Sequence, residues 1–226
     1  GEPPVFDPAF GTDVQGDPRC YFDPATNTWF ASQLFLTTTG TPLVSHFDLA
    51  VNTSGDPTTT WTLYRFDTTD LNNPGCPCLG DQPLFGIDQF NVYISTNEFS
   101  IAGTNFNGAQ VYAISKSQLE SLGSTVNFVH FGNLGIGGAI AASIQPAITD
   151  DSSAKAEYFM DSLDPFGTFD HRIGVWAMTA RQRVSSGGIP NFSSVVINSE
   201  VYGFPPLATD PSGFAIATDD DRMQQV

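Results

Sequence analysis

Basic residues are the scarcest feature of this sequence: two Lys and six Arg stand against 24 Asp and Glu, giving a formal net charge of −16. A surface of that sign repels phosphate backbones and anionic bilayers, which argues against nucleic acid as a partner. Also missing is any apolar run near the roughly 18 residues that read as a transmembrane helix, so no membrane span is expected. No basic-then-apolar leader stands at Gly1, and the chain reads as a mature product exported to the periplasm or the extracellular space. The three cysteines, Cys20, Cys76 and Cys78, are too few for a disulfide framework and form no C-x-x-C pair. Only Pro77 separates Cys76 from Cys78, a spacing expected to be too tight for a bridge; the expected partner of either is Cys20 or a thiol outside the chain.

Catalytic and metal signatures are equally sparse. No G-x-S-x-G elbow, phosphate loop, dinucleotide fingerprint or H-E-x-x-H helix occurs. His46 alternates with Asp48 and Asp170 adjoins His171, but neither pair has transition-metal ligand spacing, so no metal site is expected. Asp-rich turns, including Asp150–Asp151 and Asp219–Asp221, offer the hard oxygens that calcium uses, although no EF-hand loop is present and solvated turns explain them as well. No cofactor is expected; calcium is the one candidate the acidic turns offer, and solvated turns are the better explanation of them. Asn52-Thr53-Ser54 and Asn191-Phe192-Ser193 fit the glycosylation pattern and matter only in a host that uses it.

What is present points to many short strands. Aromatic residues reach 12%, led by 19 Phe, and 21 Gly with 16 Pro punctuate the chain. Asp outnumbers Glu because Asp accepts local backbone hydrogen bonds in turns. A recurring start, Asp17-Pro18, Gln82-Pro83 and Gln145-Pro146, is followed each time by a short apolar run ending in an acid, a turn and an aromatic strand. These second strands begin at Trp29, Val92 and Tyr158. Third and fourth strands are expected at 45–51 with 61–67, 110–115 with 126–131, and 172–179 with 194–202. Lys116 to Leu122 is the one passage that reads as a helical turn.

Four antiparallel strands per repeat predict an all-β fold of the β-propeller kind, a single domain over residues 1–226, with blades at about 17–75, 80–135 and 140–205. A fourth blade is expected to begin near 221, with Gln224-Gln225 as its start. Three blades do not close a ring at ordinary twist, so the expectation is that the protein continues past Val226 or that another chain completes the ring. The competing architecture is a β-sandwich.

Ser54-Gly55-Asp56-Pro57-Thr58-Thr59-Thr60-Trp61 resembles the Asp-box of sialidases and related propellers, with Thr58 where the family usually has Gly. The resemblance implies a structural turn between the third and fourth strands, in which Asp56 closes the turn and Trp61 packs between blades, with Ser54 and Thr60 completing the motif. The sialidase arginine motif is absent. Residues 22–29, Phe-Asp-Pro-Ala-Thr-Asn-Thr-Trp, are similar to the hairpin of kelch repeats, without their double glycine. More broadly the chain looks like secreted bacterial propellers with blades opening G-D-P and an N-E-F stretch, here Asn97-Glu98-Phe99; that likeness implies no activity.

Three functional expectations follow. If the repeat is a ring of blades, Asp17, Gln82, Gln145 and Gln224, joined by Arg222, line one channel mouth and offer donors and acceptors to sugar hydroxyls or a cation. The chain is then a non-catalytic recognition or structural module with a carbohydrate or protein partner on a surface. In the competing expectation, Gly16-Asp17-Pro18 is similar to the blade opening of five-bladed glycosidases, which implies catalysis by Asp17 with Glu98 or Glu157 as acid. A third expectation is a purely architectural subunit of a larger complex.

Overall fold

The computed structural model describes residues 14–37, 43–101, 103, 105–163, 167, 169–216, 218 and 222–223. Short aromatic strands separated by Asp-containing turns fold as antiparallel meanders. The first sheet runs in chain order through β1 (Val14–Asp23), β2 (Thr28–Leu36), β3 (Ser45–Asn52) and β4 (Thr62–Asp67). The second is β5 (Cys78–Ile87), β6 (Asn91–Ser100), β7 (Phe106–Ser115) and β8 (Phe128–Phe131), with the single helical turn α1 (Lys116–Glu120) between its last two strands. A small hairpin, β9 (Gly135–Ile136) with β10 (Ala139–Ile140), leads to the third sheet. This sheet comprises β11 (Gln145–Pro146), β12 (Glu157–Ser162), β13 (Phe169–Thr179) and β14 (Asn191–Gly203), with a 3-10 turn, Arg181–Ser186, before its last strand. A hairpin of β15 (Ala208–Thr209) and β16 (Ala215–Ile216) follows. The molecule is therefore all-β with three four-stranded antiparallel sheets, and among the described residues they do not close on themselves. Gln224 and the expected start of a fourth unit lie outside the described residues.

The turns explain the aspartate excess. Asp23 Oδ1 accepts the Ala25 N–H at 2.9 Å and Oδ2 accepts the Thr26 hydroxyl at 2.9 Å, while Asp88 Oδ1 takes the N–H groups of Phe90 and Asn91 at 2.7 and 2.8 Å. Each aspartate thereby nucleates its β1–β2 or β5–β6 turn.

Two apolar cores lie between consecutive sheets. Phe30, Phe47, Leu49 and Val51 of the first sheet meet Val92, Ile94, Tyr112 and Ile114 of the second. The opposite face of the second sheet sends Tyr93, Val111 and Ala113 against Phe159, Trp176 and Met178 of the third. Alternation along a strand thus feeds two cores from one sheet, which is why β6 and β7 are buried on both faces. Gly86 lets β5 approach β11: a Cβ there would strike Pro146 and the Ala147 carbonyl, and Ile87 at the end of β5 bonds the segment just after β11, Ile87 N–H to Ala147 O at 3.0 Å and Thr149 N–H to Ile87 O at 2.8 Å.

Charged residues clamp the sheets together. Lys116, in the connection of the second sheet, pairs with Asp23 of the first, and Arg181, in the equivalent connection of the third, pairs with Asp88 of the second. Arg181 also donates to the Ala154 carbonyl at 2.6 Å and lies 5.2 Å from the Phe90 ring centroid. Tyr93 donates its hydroxyl to Asp88 at 3.0 Å, completing a buried, hydrogen-bonded network.

The cysteine expectation is corrected. Cys76 and Cys78 are bridged to each other, and Cys20 is free and exposed. The Cys76–Pro77 peptide is cis and the two Cα atoms lie 4.5 Å apart, within the span a bridge accepts.

Candidate functional site

The first strands of the three sheets share a local backbone feature. Their pairing register breaks between Gly16 and Arg19 in β1 and between Asp81 and Leu84 in β5. At those breaks Asp17 and Gln82 adopt φ of 50° and 51°, and Ser143, just before β11, adopts φ of 51°. Two residues beyond each, the register is the same: Arg19 opposes Ser32, Leu84 opposes Ser95, and Gln145 opposes Met160. Left-handed backbone at non-glycine residues costs about 1 kcal/mol or more each and persists where the surroundings enforce it. Three such residues at one register position mark a feature of the repeat.

Their side chains converge with others into a polar cluster. Asn97 Oδ1 accepts the Ser143 N–H at 2.8 Å and its Nδ2 donates to Ser143 Oγ at 2.7 Å. The same Nδ2 lies 3.5 Å from Gln82 Oε1, which also accepts from Arg222 Nη1. Arg19 Nε reaches the Pro83 carbonyl at 3.4 Å and ties β1 to β5. Burial, and then the neighbouring charge of Asp17, push the Asp81 carboxyl above its ordinary range, while Arg222 acts in the opposite sense. Asp17 is exposed and Asp81 and Gln82 are half-buried, so these polar groups border solvent.

Of the five residues expected at this mouth, the structure brings Asp17, Gln82 and Arg222 together with Asp81, and Gln224 lies outside the described residues. Gln145 does not join them. It is 4% exposed, and its amide donates to the Phe85 carbonyl at 3.2 Å and the Pro146 carbonyl at 2.8 Å, so it joins sheets instead. The X-Pro motif misled the alignment by two residues: Ser143 holds the position of Asp17 and Gln82. Asp81 and Asn97 were reachable in sequence as neighbours of Gln82 and Glu98, whereas nothing local distinguishes Ser143.

The other expected carboxylates are dispersed. Among the described residues no hydrogen bond or ion pair joins Asp17 to Glu98 or Glu157. Glu157 is fully buried, 3.9 Å from Arg181, and burial with the nearby Asp88 charge pushes its carboxyl up to about 9. Glu98 lies on β6 next to Asn97, facing a separate set of amides.

The loop resembling an Asp-box occupies the connection between β3 and β4. Asp56 Oδ1 accepts the Thr58 N–H at 2.9 Å and hydroxyl at 2.7 Å, and Ser54 N–H donates to Asn52 Oδ1 at 2.9 Å. Asn52 Nδ2 reaches the Thr60 carbonyl at 3.2 Å, closing the loop. Trp61 donates to the Pro57 carbonyl at 3.0 Å in its own loop and is not among the residues of either core.

About five residues further along the first strands of the sheets, roughly 15 Å at the ordinary rise, a cleft of about 530 Å³ is lined by Tyr21, Asp23, Asp88, Thr149 and Asp150 with Lys116. Here Tyr21 donates to Asp150 at 3.4 Å, and burial with the Asp150 and Asp23 charges pushes the phenol up to about 12. Compared with protein-family models and with curated proteins, the chain matches none. No helix among the described residues is long and apolar enough to cross a membrane.

Proposed function

We propose that the chain is an exported recognition or structural module of β-propeller type, which takes a polyhydroxylated ligand of the carbohydrate class at the cluster of Asp17, Asp81, Gln82, Asn97 and Arg222. The observation that carries this reading is the left-handed backbone repeated at Asp17, Gln82 and Ser143, which turns polar side chains from three sheets toward one place. Carboxylates, amides and a guanidinium together supply donors and acceptors matched to hydroxyl groups.

The propeller reading draws support from the outer face of the third sheet. By register, Phe30, Tyr93 and Tyr158 are equivalent, since they oppose Tyr21, Gly86 and, through the Ala147 N–H at 3.0 Å, Ala147. Phe30 and Tyr93 are fully buried by the next sheet, whereas Tyr158 is 53% exposed, with Val195 and Ile197 exposed beside it. A further four-stranded unit, from this chain or another, would cover that face. The same face favours the architectural reading if its cover is a different protein.

A second reading, glycoside hydrolysis, is favoured by the proximity of Asp17 and Asp81, one exposed and the other pushed toward its neutral form. A saccharide panel read by calorimetry and by product chromatography separates the readings. Recognition predicts heat without product, lost in Gln82→Ala. Hydrolysis predicts product that Asp17→Asn abolishes. Neither heat nor product from any saccharide removes the carbohydrate reading.

A further inference from the structure

The connection from β4 to β5 ends in the Cys76–Cys78 bridge, at the point where β5 begins. The two sulfurs differ in access. Cys78 is fully buried, whereas Cys76 is half-buried and follows Pro74 and Gly75, which are exposed. The side-chain amide of Asn107, on β7, donates to both: its Nδ2 lies 3.1 Å from Cys78 Sγ and 3.5 Å from Cys76 Sγ.

As a staple the bridge adds little. It joins residues only two apart in sequence, and the loop entropy that a cross-link removes from the unfolded chain falls as the loop shortens. The segment is also tied down without it. Cys76 N–H donates to the Asn73 carbonyl at 3.1 Å, Cys78 N–H to the Thr69 carbonyl at 2.9 Å, and Ile101 N–H to the Pro77 carbonyl at 2.9 Å. A bridged sulfur is a weak acceptor and a thiolate is a strong, charged one, so the Asn107 donor gains most when the bridge opens and a sulfur carries charge. The sulfur with the nearer donor is the buried Cys78, which is the leaving sulfur when a nucleophile attacks the accessible Cys76.

We propose that Cys76 and Cys78 form a redox-active pair that exchanges with an external dithiol, Cys76 taking the attack and Asn107 stabilising the departing Cys78. A thiolate of the dithiol bonds to Cys76 Sγ as the Cys76–Cys78 bond breaks, and the electron pair of that bond leaves on Cys78 Sγ. The second thiol of the dithiol then attacks the dithiol's own sulfur in the mixed disulfide, which releases Cys76 as a thiolate. The dithiol departs as a disulfide. Two electrons have passed from it to the bridge, and its two protons end on Cys76 and Cys78, so this single exchange consumes no other oxidant or reductant.

One acid stands beside the pair. Glu98 is 1% exposed, with a carboxyl oxygen within 4.8 Å of both sulfurs and the Asn107 amide among its hydrogen-bond neighbours. Its Oε2 is fixed by Asn73 Nδ2 at 2.9 Å and Gln110 Nε2 at 3.1 Å. Burial and then the Asp70 charge push this carboxyl up to about 7, which reduces the negative charge that a Cys78 thiolate meets near neutrality. The pair is separate from the cluster of Asp17 and Gln82, and the exchange does not depend on carbohydrate binding.

The test treats the folded full chain with dithiothreitol and counts thiols by alkylation and intact mass, with Cys20→Ser as background so that the exposed free thiol is silent. The expected result is two new thiols with unchanged circular dichroism. Single-cysteine variants in that background fix the direction of attack. The lone Cys76 thiol of Cys78→Ala should form a mixed disulfide with dithiobis-nitrobenzoate at least about tenfold faster than the lone Cys78 thiol of Cys76→Ala. Asn107→Ala should slow reduction of the bridge roughly tenfold and move the ultraviolet titration of the Cys78 thiolate to higher pH, a shift that a merely structural role would not produce. A bridge that opens only once denaturant has unfolded the chain overturns the proposal. Equal reactivity of the two single-cysteine variants, or an unchanged thiolate titration in Asn107→Ala, overturns it as well.

Discussion

Strands β1 and β5 carry aspartates at or beside both ends, and the two ends are treated differently. Where β1 and β5 finish, Asp23 is clamped by Lys116 and Asp88 by Arg181, and both carboxylates also hold their own turns. At Asp23 burial opposes ionisation, but the hydrogen bonds from Lys116, Thr26 and Ala25 outweigh it and hold the carboxyl below its ordinary range. Near the bulges, Asp17 and Asp81 face one another across a left-handed backbone, and Asp81 is pushed in the opposite direction. Saturated charge joins sheets, whereas the proposed recognition site puts less compensated charge on enforced backbone.

Breaking the saturated end has the largest expected effect. Arg181→Ala leaves Asp88 and Glu157 buried without a cation, and we expect a loss of about 3–5 kcal/mol in denaturant unfolding. A loss below about 1 kcal/mol would mean that the clamp contributes little. A similar scale separates equivalent positions in the repeat. Phe30→Ala in the first core should cost about 3–5 kcal/mol, whereas Tyr158→Ala on the outer face of the third sheet should cost under about 1 kcal/mol in this chain. Equal costs would mean that the outer face is already packed in solution, and would sink the argument from register.

The pH dependence follows from the raised carboxyls. A group such as Glu98, whose folded value near 7 exceeds its unfolded value, binds a proton more readily in the native state between those values. Its contribution is therefore present at low pH and is lost as pH rises from about 4.5 to 7. The melting temperature of Glu98→Gln should exceed that of the wild type increasingly over that interval, and the difference should level off above it. A difference that does not change with pH would show that Glu98 titrates normally.

Much of the fold was legible in the sequence. Aromatic alternation at Trp29, Val92 and Tyr158, with Asp-containing turns before the first two, located twelve strands in three meanders, and Lys116 to Glu120 is the helical turn its pattern indicated. The candidate site was less legible because it depends on long-range register. Gln145-Pro146 imitates Gln82-Pro83 in letters, but the left-handed residue at the register position of Gln82 is Ser143. Glu98 meets Asp70 only through the loop between two sheets, and no local pattern encodes that approach. The Cys76–Cys78 bridge was not legible because residue spacing alone reads as too tight, although the two Cα atoms lie 4.5 Å apart.

The most direct test of the recognition site is Gln82→Gly, measured for both stability and saccharide binding. Glycine adopts φ near +50° without the Cβ penalty, so the account predicts stability within about 1 kcal/mol of the wild type, together with loss of the calorimetric signal from whichever saccharide the wild type binds. Unchanged binding in the glycine variant would contradict the account, because the side chain that the repeated backbone presents would then play no part in recognition.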